Sequence, residues 1–297
     1  MQGTSDAGDD PRDCQWEVDG LRLAGLTWGR RDGFPVLALH GWMDHAASFR
    51  ELAPRLEGAH VVALDLSGHG LSGHRAPHAT YNIWDDLPQI AALLDRLGWD
   101  DCILLGHSRG ASIATLFAAA QPERVRALIA IESLVPEPVE AGSFVTTLRS
   151  FIEQTRRQRA RPPRTFATRA EYVARRSDRG NSRRVAEALA PRALEESAEG
   201  VRLRGDPRLF ASSAMKLTQG DVEGVLRSIR CPVLNVWGTE GIGQRRPRIE
   251  ETARFAASVI PRYERVEIAG DHHLHLEAAA ADQIAGEIHD FLRRQTS

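Results

Sequence analysis

The segment Gly106-His107-Ser108-Arg109-Gly110 places a hydroxyl between two glycines, each two residues away. An apolar run, Cys102–Leu105, precedes it, and a helical pattern opens at Ala111. A serine at the tip of a strand-to-helix turn sits in strained backbone, and small neighbours let strand and helix pass closely. The helix N-terminus then aims its free N–H groups and positive dipole end at an oxyanion developing beside the serine. A second turn, His40-Gly41-Trp42, follows the apolar run that starts at Phe34. It offers another backbone N–H, so the Trp42 and Arg109 amides are assigned as the oxyanion hole. His40 itself is read as a structural residue that holds the loop.

A serine hydroxyl is a weak nucleophile until a base takes its proton. Among the eleven histidines, His107 is expected to be buried in the turn and to point away from Ser108. His272, His273 and His275 lie in Ala269–Glu277, after the last apolar run. In the chain order nucleophile, acid, histidine, the base belongs in that loop. His272, the first histidine after Gly270-Asp271, is chosen, and His275 is expected to pack or cap the next helix. The trio read as metal ligands lacks an acidic or cysteine partner set, so no metal and no organic cofactor is expected.

The elements that must carry these residues are visible as periodicity. Trp16–Val18 and Leu21–Trp28 flank Asp19-Gly20, a hairpin turn signal. Phe34–His40, His60–Leu66, Cys102–Leu105 and Val125–Ile131 read as buried strands, separated by helices over 46–56, 83–97 and 111–121. Strands at Val233–Trp237 and Tyr263–Ile268 follow, with helices at Ile249–Val259 and Ala281–Leu292. This alternation predicts a mostly parallel, doubly wound α/β sheet. It is interrupted over 134–225, where arginine pairs (156–157, 175–176, 183–184) sit on helical segments such as Phe144–Arg159 and read as solvated faces. Residues 16–133 and 226–297 are therefore expected to form the core, 134–225 a helical insertion, and 1–15 a disordered tail.

The length of 297 residues suits one α/β domain plus an insertion. The net charge of −2, from 38 basic and 40 acidic residues, gives no reason to expect nucleic acid or an anionic membrane as partner. Lys216 is the only lysine, which is read as codon bias toward arginine. Three cysteines (Cys14, Cys102, Cys231) make no disulfide framework and predict a reducing, cytoplasmic setting. No apolar run approaches the ~18 residues of a membrane span.

In order and spacing, Val36–Asp44, Leu64–Ser72, Gly106–Gly110 and the Gly-x-His loop at 270–272 resemble the α/β-hydrolase family, closest to its serine hydrolase-like subgroup. The resemblance covers about 15–292 and implies a helical cap over the active site, with Ser108 as nucleophile and His272 as base. The acid departs from the family pattern. Many members carry Asp where this chain has Gly241, in Gly238-Thr239-Glu240-Gly241. Glu240 is one residue early. Glu132, just after the strand that follows the nucleophile helix, resembles the glutamate of certain haloalkane dehalogenases. Glu132 is preferred and Glu240 is the alternative, with Asp44 and Asp65 read as loop-fixing groups.

A serine at 108 argues against epoxide hydrolysis and dehalogenation, which run through an alkyl ester on aspartate. The expected function is a serine hydrolase, a carboxylesterase, that cleaves a small-molecule ester or other acyl bond through an acyl-enzyme. Two alternatives stand beside it. One is a C–C bond hydrolase or haloperoxidase-like enzyme on the same triad, and the other a non-catalytic binding protein that keeps the fold.

Overall fold

The computed structural model describes residues 10–178, 181–245 and 247–295. The chain opens with the hairpin β1 (Arg12–Val18) and β2 (Leu21–Trp28), turned by Asp19 and Gly20, both at positive φ. Such a pair matches the right-handed twist of the flanking strands. The expectation of a disordered tail through residue 15 does not hold for residues 12–15. Residues 12–15 pair with 24–27 along the full ladder, and 1–9 lie outside the described residues.

β3 (Phe34–Leu39) and β4 (Ala59–Asp65) come next, then α1 (Leu87–Leu97), β5 (Cys102–His107), α2 (Arg109–Ala120) and β6 (Val125–Ile131). The helix expected over 46–56 is instead two 3₁₀ turns, Ala46–Phe49 and Ala53–Arg55. Pro54 explains the break, because it has no N–H to give and disfavours helical geometry in the residue before it.

Between β6 and the next core strand lie α3 (Phe144–Arg159), β7 (Thr165–Phe166), α4 (Arg169–Ser177), α5 (Arg183–Ala193), β8 (Leu194–Ser197), β9 (Gly200–Leu203) and α6 (Gln219–Ser228). The expected all-helical insertion therefore also holds a three-stranded antiparallel sheet, ordered β7-β9-β8. Its strands have two to four residues and carry Glu195, Glu196 and Arg202, too short and too charged to show a period-2 signal. A separate small core of Phe166, Tyr172, Val173, Ala186, Ala190 and Val201 holds this unit together. The boundary expected at 225 falls inside α6, whose Val222 and Leu226 are fully buried in the main core. The insertion therefore ends before Gln219.

The chain closes with β10 (Val233–Gly238), α7 (Pro247–Val259), β11 (Tyr263–Ile268) and α8 (Ala278–Gln295). The eight core strands run β1-β2-β4-β3-β5-β6-β10-β11, with every pairing from β4 to β11 parallel. Successive β3 residues go to opposite faces. Leu37 and Leu39 join a cluster with α1, α2, α6 and α7, while Val36 and Ala38 join one with Phe49, Leu52 and α8. Chain order reverses between β3 and β5, and the crevice beyond the strand ends at such a switch point is where open α/β sheets bind ligands.

Candidate active site

Ser108 joins β5 to α2 with φ 52° and ψ −116°, a conformation that costs about 1–3 kcal/mol in an L-residue and needs the surroundings to enforce it. Its amide donates to the Ile131 carbonyl at 2.9 Å, and its carbonyl accepts from Ser112 N at 3.2 Å. Gly110 lets the helix approach β3 so closely that a Cβ there would lie 1.9 Å from the Leu39 carbonyl oxygen.

His272 reaches Ser108 from the loop after β11, with Nε2 3.0 Å from Oγ. Its Nδ1 is 3.0 Å from Glu132 Oε2. A carboxylate can only accept, so Nδ1 carries the proton and Nε2 is left to accept from the serine. The structure brings Ser108, His272 and Glu132 into one hydrogen-bonded line. Glu240 is exposed, and its turn is fixed by its own amide donating to the Gly270 carbonyl.

Glu132 is fully buried at φ 58°. Its Oε1 accepts from Gly238 N at 2.6 Å and its Oε2 from Ile242 N at 2.7 Å. Two amides and an imidazole thus satisfy a carboxylate that water does not reach. A Cβ on Gly241 would stand 2.1 Å from Glu132 Oε1, so the glycine at the family's usual acid position is what makes room for this carboxylate. The fully buried Asn235 fixes the chain around it. Asn235 Nδ2 donates to the Ala130 and Ser133 carbonyls at 2.8 and 3.0 Å, while its oxygen accepts from Trp237 Nε1 and Tyr263 Oη.

His40 and His107, outside this line, hold the loops around it. His40 donates from Nδ1 to the Gly41 carbonyl and accepts at Nε2 from Leu66 N. His107 donates from Nε2 to the His272 carbonyl at 2.8 Å and packs 4.1 Å, centroid to centroid, from His275. Burial pushes His40, His45, His69 and His275 down from 6.5 to about 3, and burial with neighbouring histidines holds His107 well below its ordinary value. The unfolded chain takes up protons at these sites that the folded chain refuses. Stability is therefore complete above pH 6.5 and falls as the pH drops toward 3. Each such histidine withdraws up to about 1.4 kcal/mol per pH unit in that window. The thermal midpoint should fall steeply from about pH 7 to about pH 5; a flat profile contradicts neutral burial.

Sequence reasoning missed the partner of Asp44. Arg176, expected on a solvated face, projects from α4 onto the fully buried Asp44, which it holds as a salt bridge. It also donates to the Met43 carbonyl at 3.3 Å, and Met43 sits at φ 60°. Asp44 in turn bonds His273 Nε2 at 3.2 Å. Burial alone would raise Asp44, but Arg176 and His273 hold it well below the usual carboxylate range. The signal in the sequence was helical spacing, because Tyr172 and Arg176 share a face of α4 and are bonded at 3.0 Å. Arg176→Met takes the guanidinium from a buried carboxylate and leaves it only its bond to His273, which costs up to about 3–5 kcal/mol. Differential scanning calorimetry should show that loss, and an unaltered midpoint would refute the pairing. Asp44 also lies with His107 and His273 in a group whose ligand atoms are within 4.8 Å of one another. Its charge is already balanced by Arg176, and of the expected histidine trio only His273 belongs to it.

A cavity of about 580 Å³ opens over Ser108. Its wall carries the apolar Trp42, Ile83, Val135, Phe166 and Phe210 beside Arg164, Arg175 and Arg176, and it includes Trp42 and Arg109, the residues whose amides are assigned to the oxyanion hole. The Arg109 guanidinium turns to Asp86 at 3.0 Å. A second cavity of about 620 Å³ adjoins it and shares Trp42, Ile83 and Phe210. Trp42 is held in that partition by Nε1–H donating to the Leu209 carbonyl and by edge contact with Phe210.

The sequence pattern of the alpha/beta hydrolase fold family matches residues 35–279. A serine hydrolase-like protein of Dictyostelium discoideum is 29% identical over 282 residues, covering 88% of this chain and 76% of its own. Human serine hydrolase-like protein 2 is 27% identical over 286 residues, covering 91% of this chain and 90% of its own. Among solved structures, a hypothetical protein of Pseudomonas aeruginosa PAO1 superposes with a TM-score of 0.89 at 37% identity, covering 95% of this chain and 99% of that one. A thioesterase domain from the curacin biosynthetic pathway superposes with a TM-score of 0.80 at 26% identity, covering 94% and 99%. The chain belongs to the α/β-hydrolase family, and within it to the serine hydrolase-like group.

Proposed function

We propose that the protein is a carboxylesterase-type serine hydrolase that acts on a small-molecule acyl substrate. The observation that carries this reading is the line Ser108 Oγ, His272 Nε2 and Nδ1, Glu132 Oε2, with both links at 3.0 Å. Ser108 Oγ attacks the acyl carbon and its proton passes to His272 Nε2. The carbonyl electrons move onto oxygen, where the Trp42 and Arg109 amides stabilise the charge. The intermediate collapses, the bond to the leaving oxygen breaks, and that oxygen takes the proton from His272. Water then attacks the acyl-enzyme through the same base, releasing the acid and restoring Ser108. Glu132 orients the imidazole and supports it when charged. No step calls for a metal or an organic cofactor.

The apolar side chains over Ser108 suit an apolar acyl group. The cytoplasmic setting rests on three free cysteines, two of them buried. No described helix is long and apolar enough to cross a membrane. The test is a substrate panel of p-nitrophenyl esters, thioesters and vinylogous diketones, run beside labelling of Ser108 by a fluorophosphonate. Ester turnover with an adduct on Ser108 is expected. Turnover of the diketones alone would make it a C–C bond hydrolase, and no adduct in folded protein would make it a binding protein.

A further inference from the structure

The insertion carries a helix that is turned inside out. On α3 the buried side chains are the polar Thr147, Thr155 and Gln158. Three of its apolar side chains face solvent, Phe144 53%, Val145 65% and Ile152 55% exposed, while Leu148 and Phe151 are half-buried. A surface helix normally does the reverse. These three are among only five exposed large hydrophobic side chains in the described residues. Phe144, Leu148 and Ile152 follow one another at spacings of four, so they form a stripe rather than scattered contacts.

Charge singles out the same helix. α3 holds four arginines (149, 156, 157 and 159) and one carboxylate, Glu153, in a chain whose net charge is −2. Val145, Arg149, Ile152 and Arg156 alternate along one side at spacings of four, three and four. Arg149, Arg156 and Arg157 are exposed and, among the described residues, have no carboxylate partner. An apolar stripe flanked by unpaired guanidinium groups fits a surface that offers both acyl chains and negative charge. A protein partner could supply the apolar contact, but the arginine flank favours an anionic lipid surface.

The stripe also lies beside the route to the site. Gln154 of α3 accepts from Ser212 N at 2.8 Å, which ties the helix to the segment carrying Met215 and Lys216. Gln154, Met215 and Lys216 all line the second cavity, which shares a wall with the cavity over Ser108. Met215 is 55% exposed and continues the apolar surface.

We propose that α3 is an interfacial helix that lays its Phe144–Ile152 stripe into the surface of an anionic bilayer. The proposal departs from the expectation drawn from net charge, because the overall balance conceals a local excess of arginine. The proposal is independent of the catalytic assignment, since binding is read without turnover.

The test is co-sedimentation of the full chain with vesicles of phosphatidylglycerol and phosphatidylcholine, against vesicles of phosphatidylcholine alone. Recovery with the anionic vesicles is expected, weakening as salt rises. Val145→Glu with Ile152→Glu, and separately Arg149→Glu with Arg156→Glu, should each lower partitioning by about tenfold or more. Circular dichroism of both double variants should match the parent, since all four side chains face solvent. No recovery with either vesicle overturns the proposal, as does equal recovery of parent and variants. A dimer in sedimentation velocity that Val145→Glu/Ile152→Glu dissociates, without vesicle binding, would reassign the stripe to a second copy of this chain.

Discussion

Ser108→Ala is expected to lower the rate of the proposed ester hydrolysis by about 10⁴–10⁶-fold and to abolish fluorophosphonate labelling, with the thermal midpoint preserved. The size follows from the geometry. Ser108 Oγ accepts no other assignment in the line, since His272 Nε2 is its base at 3.0 Å and the other imidazole nitrogen is committed to Glu132. The fold survives because the elbow is enforced by backbone bonds, Ser108 N to Ile131 and Ser112 N to Ser108, which alanine keeps. A residual rate of the usual order remains from the amides and the cavity alone. Full activity in the variant, or a probe adduct elsewhere on the chain, would remove Ser108 from the mechanism.

Glu132→Gln should cost about 10⁴-fold in kcat, and Glu240→Gln should cost nothing measurable. An amide at 132 has one acceptor oxygen, yet Gly238 N and Ile242 N donate to two separate oxygens at 2.6 and 2.7 Å. One of those donors is left orphaned, or the amide presents its own N–H groups to His272. Either result disturbs the tautomer that keeps Nε2 free to accept. The orphaned donor adds about 1–3 kcal/mol of instability, which chemical denaturation can measure. Gly241→Asp alone clashes, since its Cβ meets Glu132 at 2.1 Å. Glu132→Gly combined with Gly241→Asp removes the clash and relieves the positive φ at 132. That double variant should recover part of the activity lost in Glu132→Gln. If Glu240→Gln is the damaging change, the acid must be reassigned.

Ser108 and His272 were legible because their chemistry depends on local grammar: glycine spacing around a strand-to-helix turn, and position in chain order. The buried strands were legible because residues such as Leu37 and Val36 must be apolar on both faces. The acid was only half legible. Whether Glu132 or Glu240 reaches the base depends on backbone direction at φ 58°, which no side-chain pattern encodes. Gly241 was visible as a missing aspartate, but its role as space for a neighbour's carboxylate is a contact across 109 residues. Arg176 was misplaced for a related reason. A charge pair on a helix looks solvated until its burial partner, Asp44, is known, and the two are 132 residues apart. The short strands β7 to β9 fell below the length at which alternation can be distinguished from chance.

Asn235 has a practical consequence for building chimaeras. The insertion leaves the core directly after Glu132, so replacing it would be expected to drag the acid with it. Asn235 clamps the carbonyls on both sides, at Ala130 and Ser133, and is itself braced by Trp237 and Tyr263. That clamp belongs to the core strand β10, not to the insertion. A graft spliced after Ser133 and before Gln219 therefore inherits a hydrogen-bonded line of Ser108, His272 and Glu132 that is already anchored. The inserted segment becomes an exchangeable part, provided that the incoming one brings its own cation for Asp44.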